Sequence, residues 1–147
     1  MQVSVTSHRE TEPLAFAAFE HLALYVLRME GAPDESELSI ALVDAGEMAR
    51  LNEQYRGIKD PTDVLSFGCD DPCPTPGDEP ITLGDVIIAP DVAEAQAADL
   101  GTTIESELNL LLVHGILHLL GYDHEADEDA EVMQQRERVL LDAYEAE

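Results

Sequence analysis

Basic residues are scarce in this chain. Seven lysines and arginines stand against 32 aspartates and glutamates in 147 residues, giving a formal net charge of −25. Non-specific grip on a polyanion requires Lys and Arg to neutralise phosphates, so the balance speaks against a general nucleic-acid-coating protein. It reads instead as a solubility device or an adaptation to a salty cytoplasm. The cations are unevenly spread: of Arg9, Arg28, Arg50, Arg56, Lys59, Arg136 and Arg138, three fall within positions 50–59. A local positive patch on an acidic body is therefore compatible with the composition. Cysteine is nearly absent. Cys69 and Cys73 lie in one proline-rich stretch, too few for a disulfide framework and too few to fill a zinc shell, so they read as reduced loop thiols. No apolar run approaches the roughly 18 residues of a transmembrane helix. Positions 1–12 lack the basic and then apolar pattern of a secretion signal. The expectation is a cytoplasmic protein with no membrane association, folded as a single domain over residues 1–147, a length that suits one hydrophobic core.

What the chain does have is strong punctuation. Residues 2–6 alternate with Val3 and Val5 inward, as a strand does. Thr11-Glu12-Pro13 predicts a helix start, with proline tolerated in the first turn. Leu14, Ala17, Ala18, Leu22, Tyr25 and Val26 then recur at helical spacing until Gly31. His21 on this helix has no partner ligand at suitable spacing and reads as structural or surface. Residues 37–43 alternate around Leu38, Ile40 and Leu42. Asp44 with Glu47 forms a capping-box pattern that opens a helix through Met48, Leu51 and Tyr55, closed by Gly57. A turn at 59–63 leads to a short strand at 64–67. Residues 68–80, with four prolines and four acids, read as a mobile surface loop. Residues 83–89 form an Ile/Val-rich strand expected to be buried on both faces. Pro90 opens a helix that ends at Gly101, and Thr102 with Glu105 is a second capping-box pattern. After an acidic stretch at 125–131, Val132, Met133, Val139, Leu140 and Ala143 predict the apolar stripe of a final helix. There are no internal repeats. A βαβα order followed by two strands and three helices predicts an α+β fold: a small four-stranded mixed sheet, its first two strands parallel, with helices packed on it.

One stretch carries chemistry. His114-Gly115-Ile116-Leu117-His118-Leu119-Leu120-Gly121-Tyr122-Asp123-His124 reads H-x-x-x-H-x-x-G-x-x-H and follows the apolar run 108–113. On a helix, His114 and His118 share a face. Gly121 takes the left-handed backbone that ends a helix, so His124 can return to the same point. Three neutral imidazoles with an open position form a ligand set for catalytic zinc, although imidazole also suits other first-row divalent metals. The helix that carries them is apolar nearly all round and is expected at the centre of the helical layer. The spacing matches the zinc-ligand pattern of metzincin proteases, H-E-x-x-H-x-x-G-x-x-H, but the glutamate that serves those enzymes as general base is replaced by Gly115. The ligands are kept and the protease base is missing, which argues for metal-activated water and against the usual peptidase mechanism.

Four blocks together resemble the YbeY family of endoribonucleases: Leu51-Asn52-Glu53-Gln54-Tyr55-Arg56, Pro61-Thr62-Asp63-Val64-Leu65-Ser66-Phe67, Leu83-Gly84-Asp85-Val86, and His114 to His124. The resemblance spans nearly the whole chain. It implies a metal-dependent endoribonuclease specific for single strands, acting in 16S rRNA 3′-end maturation and in quality control of the small ribosomal subunit, where ribosome-associated proteins are the expected partners. It implies one zinc ion at His114, His118 and His124, and a functional arginine at Arg56. The chain departs from the family after Ser66-Phe67, where Gly68 stands in place of proline.

Arg56 has two readings. It lies near a helix C-terminus, where a cation is favoured by the dipole, and a guanidinium can also clamp a phosphate bidentately. Asp123 either orients a histidine ligand through its second ring nitrogen or caps the final helix. Asp63 and Asp85 read as groups satisfying local backbone donors, and neither is assigned as a base. Two rival functions stand beside the nuclease: a zinc hydrolase of another substrate, and a ribosome-assembly factor whose metal is structural.

Overall fold

The computed structural model describes residues 1–9, 12, 15–69, 81–122 and 126–146. Among these residues run β1 (Gln2–Ser7), α1 (Phe16–Met29), β2 (Ser36–Leu42), α2 (Ala45–Arg56), β3 (Val64–Gly68), β4 (Ile81–Ile88), α3 (Pro90–Leu100), α4 (Ile104–Leu119) and α5 (Asp127–Glu145). The architecture is α+β, as the element order predicts. One mixed sheet has the order β1-β2-β4-β3. β1 pairs parallel with β2, β2 parallel with β4, and β3 antiparallel with β4 at the edge. The helix between β1 and β2 makes a strand–helix–strand unit, the connection that parallel neighbours require. Residues 70–80, most of the expected loop and including Cys73, lie outside the described residues, and Cys69 is exposed.

Alternation sorts the sheet onto two cores. Leu38, Ile40, Leu42, Val86 and Ile88 face the main core with α1, α4 and α5. Leu65, with partly buried Phe67 and Ile87, faces the opposite side beneath Met48 and Leu51 of α2. β4 is thus covered on both faces, as its composition predicts. α4 touches α1, α3, α5, β3 and β4, and nine of its residues are buried. An apolar helix in the middle of the layers has no polar face to spare. No helix among the described residues is long and apolar enough to cross a membrane.

Local chemistry sets the boundaries. Asp44 accepts from the Glu47 amide at 2.7 Å, a cap worth about 1 kcal/mol, and Gly57 closes α2 at φ 73°. Glu47 turns its carboxylate to His8 at 2.9 Å, so only half of the capping box forms. Four expectations are corrected. α1 begins at Phe16, because Ala15 is still extended at ψ 148°; positions 11, 13 and 14 lie outside the described residues. Its buried stripe is Phe19, Leu22, Ala23, Val26 and Leu27, with Ala17 and Ala18 exposed. Burying a phenyl ring gains more than burying two methyls, so the helix turns Phe19 inward. α4 is capped by Thr103, which accepts from the Ser106 amide at 3.1 Å. Thr102 is unavailable because its amide still bonds Ala97 in the turn closing α3; its hydroxyl donates to Glu107. On α5, Val132 and Val139 are exposed, as is Ala143, while Met133, Glu137 and Leu140 are buried. His21 shares a hydrogen bond of 2.6 Å with the Tyr144 hydroxyl, the structural role expected of it, and ties α1 to α5.

Candidate active site

The turn spacing of α4 puts His114 and His118 on one face, and both line a cavity of about 330 Å³. Its other walls are Arg56 at the end of α2, Thr62 and Asp63 before β3, and Val64 to Ser66 of β3. The His114 side chain is 31% exposed, and His118 is exposed. The cavity is therefore open to solvent, and its two histidines stand on a helix with nine buried residues.

Gly115 explains why α4 approaches the sheet so closely. A Cβ there would stand 2.6 Å from Val86 Cγ1 and 3.2 Å from Ser66 Oγ. Ser66 Oγ donates to the Gly115 carbonyl at 3.1 Å, fixing helix against strand. The glutamate of the protease pattern has no space at this position, a physical reason for the departure seen in the sequence. Gly115→Ala is expected to destabilise the fold by about 1–3 kcal/mol through overpacking, despite alanine's better helix propensity. At this chain length that lowers Tm by roughly 3–8 °C in thermal unfolding. An unchanged Tm would mean that Val86 yields freely.

The end of α4 behaves as its glycine predicts. The Gly121 amide bonds the His118 carbonyl at 3.1 Å and the Tyr122 amide bonds Leu117 at 3.0 Å, with Gly121 at φ 106°. Tyr122 donates its hydroxyl to Glu30 at 3.1 Å, and Glu30 also accepts from Arg136 Nε. Burial and the Glu30 carboxylate raise the Tyr122 phenol above its ordinary range, and the same carboxylate raises the Arg136 guanidinium. The chain is thus anchored two residues before position 124. His124 and Asp123 lie outside the described residues. Ala126 stands at the N-cap of α5, with no side-chain cap hydrogen bond among the described residues.

Arg56, exposed and without an ion pair among the described residues, shares the cavity with both histidines. Lys59 and Arg50 are likewise exposed nearby in sequence. Asp63 lines the cavity as well, where one carboxylate oxygen accepts from Gln96 at 3.2 Å. A residue that the sequence reading missed is Glu137 of α5, whose carboxylate takes His114 Nδ1 at 2.6 Å. Its sequence signal was a glutamate at helical spacing within the stripe of Met133 and Leu140. Among the described residues no three His, Cys, Asp or Glu side chains converge as a metal requires. His114 and His118 supply two imidazole donors, and one of them already carries the carboxylate partner typical of a metal-ligating histidine, so the donor chemistry fits a divalent zinc.

The family model described as Endoribonuclease YbeY matches residues 4–145. The chain belongs to this family. It is similar to the Endoribonuclease YbeY of Acidothermus cellulolyticus, 52% identical over 117 residues that cover 75% of this chain and 71% of that one. The Endoribonuclease YbeY of Pelotomaculum thermopropionicum is 44% identical over 117 residues, covering 79% and 77%. The solution structure of TM1509 from Thermotoga maritima has the same architecture, with a TM-score of 0.61 and 25% identity over 98% of this chain and 92% of that one. Family membership and the cavity bear on the same residues, since the match includes α2, β3 and the histidine helix.

Proposed function

We propose that the chain is a zinc-dependent, single-strand-specific endoribonuclease of the cytoplasm. In this reading it matures the 3′ end of 16S rRNA and serves small-subunit quality control, His114, His118 and His124 hold the ion, and Arg56 grips the scissile phosphate. Family membership supports ribonuclease activity in rRNA processing. The observation that carries the site is that Arg56 lines the same cavity as His114 and His118. When bound, the ion would lower the pKa of a coordinated water toward about 7 and polarise a phosphoryl oxygen.

The chain's own residues do the rest. Arg56 would present planar N–H donors to two phosphate oxygens, a geometry that a lysine cannot copy. Its neighbours Arg50 and Lys59 supply local attraction for the backbone on a body that otherwise repels it. The open cavity admits a flexible strand, whereas a duplex holds its phosphates at fixed spacing.

Purified protein should cleave single-stranded RNA and spare the matched duplex, with activity lost to a chelator and restored by zinc. Peptide turnover without RNA cleavage would overturn the reading. Arg56→Ala should lower kcat/KM by about 10²–10³, the typical cost of removing one group that stabilises transition-state charge, with zinc content unchanged. Wild-type cleavage by that variant returns Arg56 to the role of a helix-end cation.

A further inference from the structure

We propose that Glu137 is a positioning residue for the site: it holds the His114 ring with its proton on Nδ1, so that Nε2 is the nitrogen presented to the ion. The proposal rests on the reading of His114 as a metal ligand.

Glu137 sits where the fold would favour a leucine. It lies four residues after Met133 and three before Leu140, both 1% exposed, and is itself 6% exposed. Removing a carboxylate from water costs several kcal/mol unless it is paired and hydrogen-bonded. Other acids on α5 lie on exposed positions, so this glutamate is the one placed in the core. Its partner is His114 Nδ1 at 2.6 Å, across 23 residues of sequence. An ionised carboxylate only accepts, so the ring nitrogen carries the hydrogen. Nε2 lies on the other side of the ring, and His114 is a wall of the cavity shared with Arg56 and His118. A ligating histidine whose second nitrogen donates to a carboxylate gains both a fixed rotamer and a more basic donor atom.

The next residue back holds α5 in register. Arg136 reaches Glu30 at the end of α1, and Glu30 accepts from Tyr122. Adjacent residues of α5 therefore secure the helical histidine on one side and the chain leaving α4 on the other. A slip of α5 would disturb both together.

The test is zinc affinity of the full chain, measured by competition with a chromophoric chelator. Glu137→Ala is expected to weaken zinc binding about 10–100-fold, and Glu137→Gln, which keeps an acceptor oxygen in place, to recover most of it. Glu137→Leu completes the apolar stripe and should hold or raise Tm while still losing affinity, which separates positioning from stability. On a His114→Ala background, Glu137→Ala should have no further effect on affinity, because the two act as one unit. Histidine-ring ¹⁵N shifts of the metal-free protein should place the proton on Nδ1 of His114 in the wild type and move it toward Nε2 in Glu137→Leu. Wild-type zinc affinity in Glu137→Ala and Glu137→Leu, with affinity lost in His114→Ala, would overturn the role of Glu137 alone. Wild-type affinity in His114→Ala would overturn the ligand reading and this proposal with it.

Discussion

His114→Ala is expected to reduce RNA cleavage by about a thousandfold or more, equivalent to roughly 4 kcal/mol of lost transition-state stabilisation, while the protein remains folded. The substitution removes a side chain that is 31% exposed and faces a cavity, so little core packing is lost. It does strip Glu137 of its donor, and a buried carboxylate without that hydrogen bond costs about 1–3 kcal/mol. Tm should therefore fall by several degrees. His118→Ala, at an exposed position of the same face, should match it in lost activity with a smaller effect on Tm. Elemental analysis of each purified variant should show zinc falling together with cleavage. Wild-type cleavage by a zinc-free His114→Ala would leave the imidazoles without a chemical role. Retained zinc with lost cleavage would move the ion to other ligands. A metal with a purely structural role predicts a third pattern, in which zinc loss unfolds the chain and activity tracks folding alone.

The sequence made some of this legible because the signals were local. Gly57, Gly101 and Gly121 each take positive φ at a helix end, where only the backbone conformation matters. Asp44 caps the helix it precedes for the same reason. The i, i+4 spacing of His114 and His118 needs only helical geometry to bring them to one cavity, and the alternation in β2 needs only the pleat. Long-range competition is where sequence reasoning fell short. Hydropathy ranked Val132 and Val139 above Glu137, yet those valines are 59% and 49% exposed and Glu137 is 6% exposed. The decisive term is a partner 23 residues away, His114, and no window along α5 contains it. The same holds at the start of α1, where proline and threonine suggested an earlier start and Phe19 set the rotation. Thr102 looked like a cap until the closing turn of α3 claimed its amide. The lack of room at Gly115 was visible as a missing glutamate, but its cause is Val86 on a strand that reaches α4 only in the folded state.

Gly84→Ala should be the most damaging added methyl among the described glycines. β2 and β4 change register between Glu37 and Leu38: Glu37 faces Thr82, Leu38 faces Gly84, and Leu83 is the extra residue of a bulge. Gly84 adopts φ 140° there, in a region that is strained for any residue with a Cβ, at a cost of about 1–3 kcal/mol. That Cβ would also lie 2.0 Å from the Phe67 carbonyl oxygen, 2.9 Å from its carbon and 3.0 Å from Gly68 Cα. These are backbone atoms of the paired strand, so relief requires β3 to move as a unit. β3 is an edge strand and carries Val64 to Ser66 of the cavity wall. The expected loss exceeds about 4 kcal/mol, a large part of the 5–15 kcal/mol that holds a domain folded. Either the chain fails to fold, or β3 detaches from β4 and RNA cleavage disappears while Arg56 and both histidines remain in the sequence. Gly68 faces Gly84 across the β3–β4 pair and supplies the control: a Cβ there meets nothing within 4 Å and its φ is not positive. Gly68→Ala should therefore change stability by less than about 1 kcal/mol, in the stabilising direction if anything, because it narrows the unfolded ensemble. Chemical denaturation of the two variants, side by side, decides whether the bulge or glycine content in general sustains this edge. Equal losses in both would remove the bulge from the account of why the Leu83-Gly84-Asp85-Val86 block has a glycine at all.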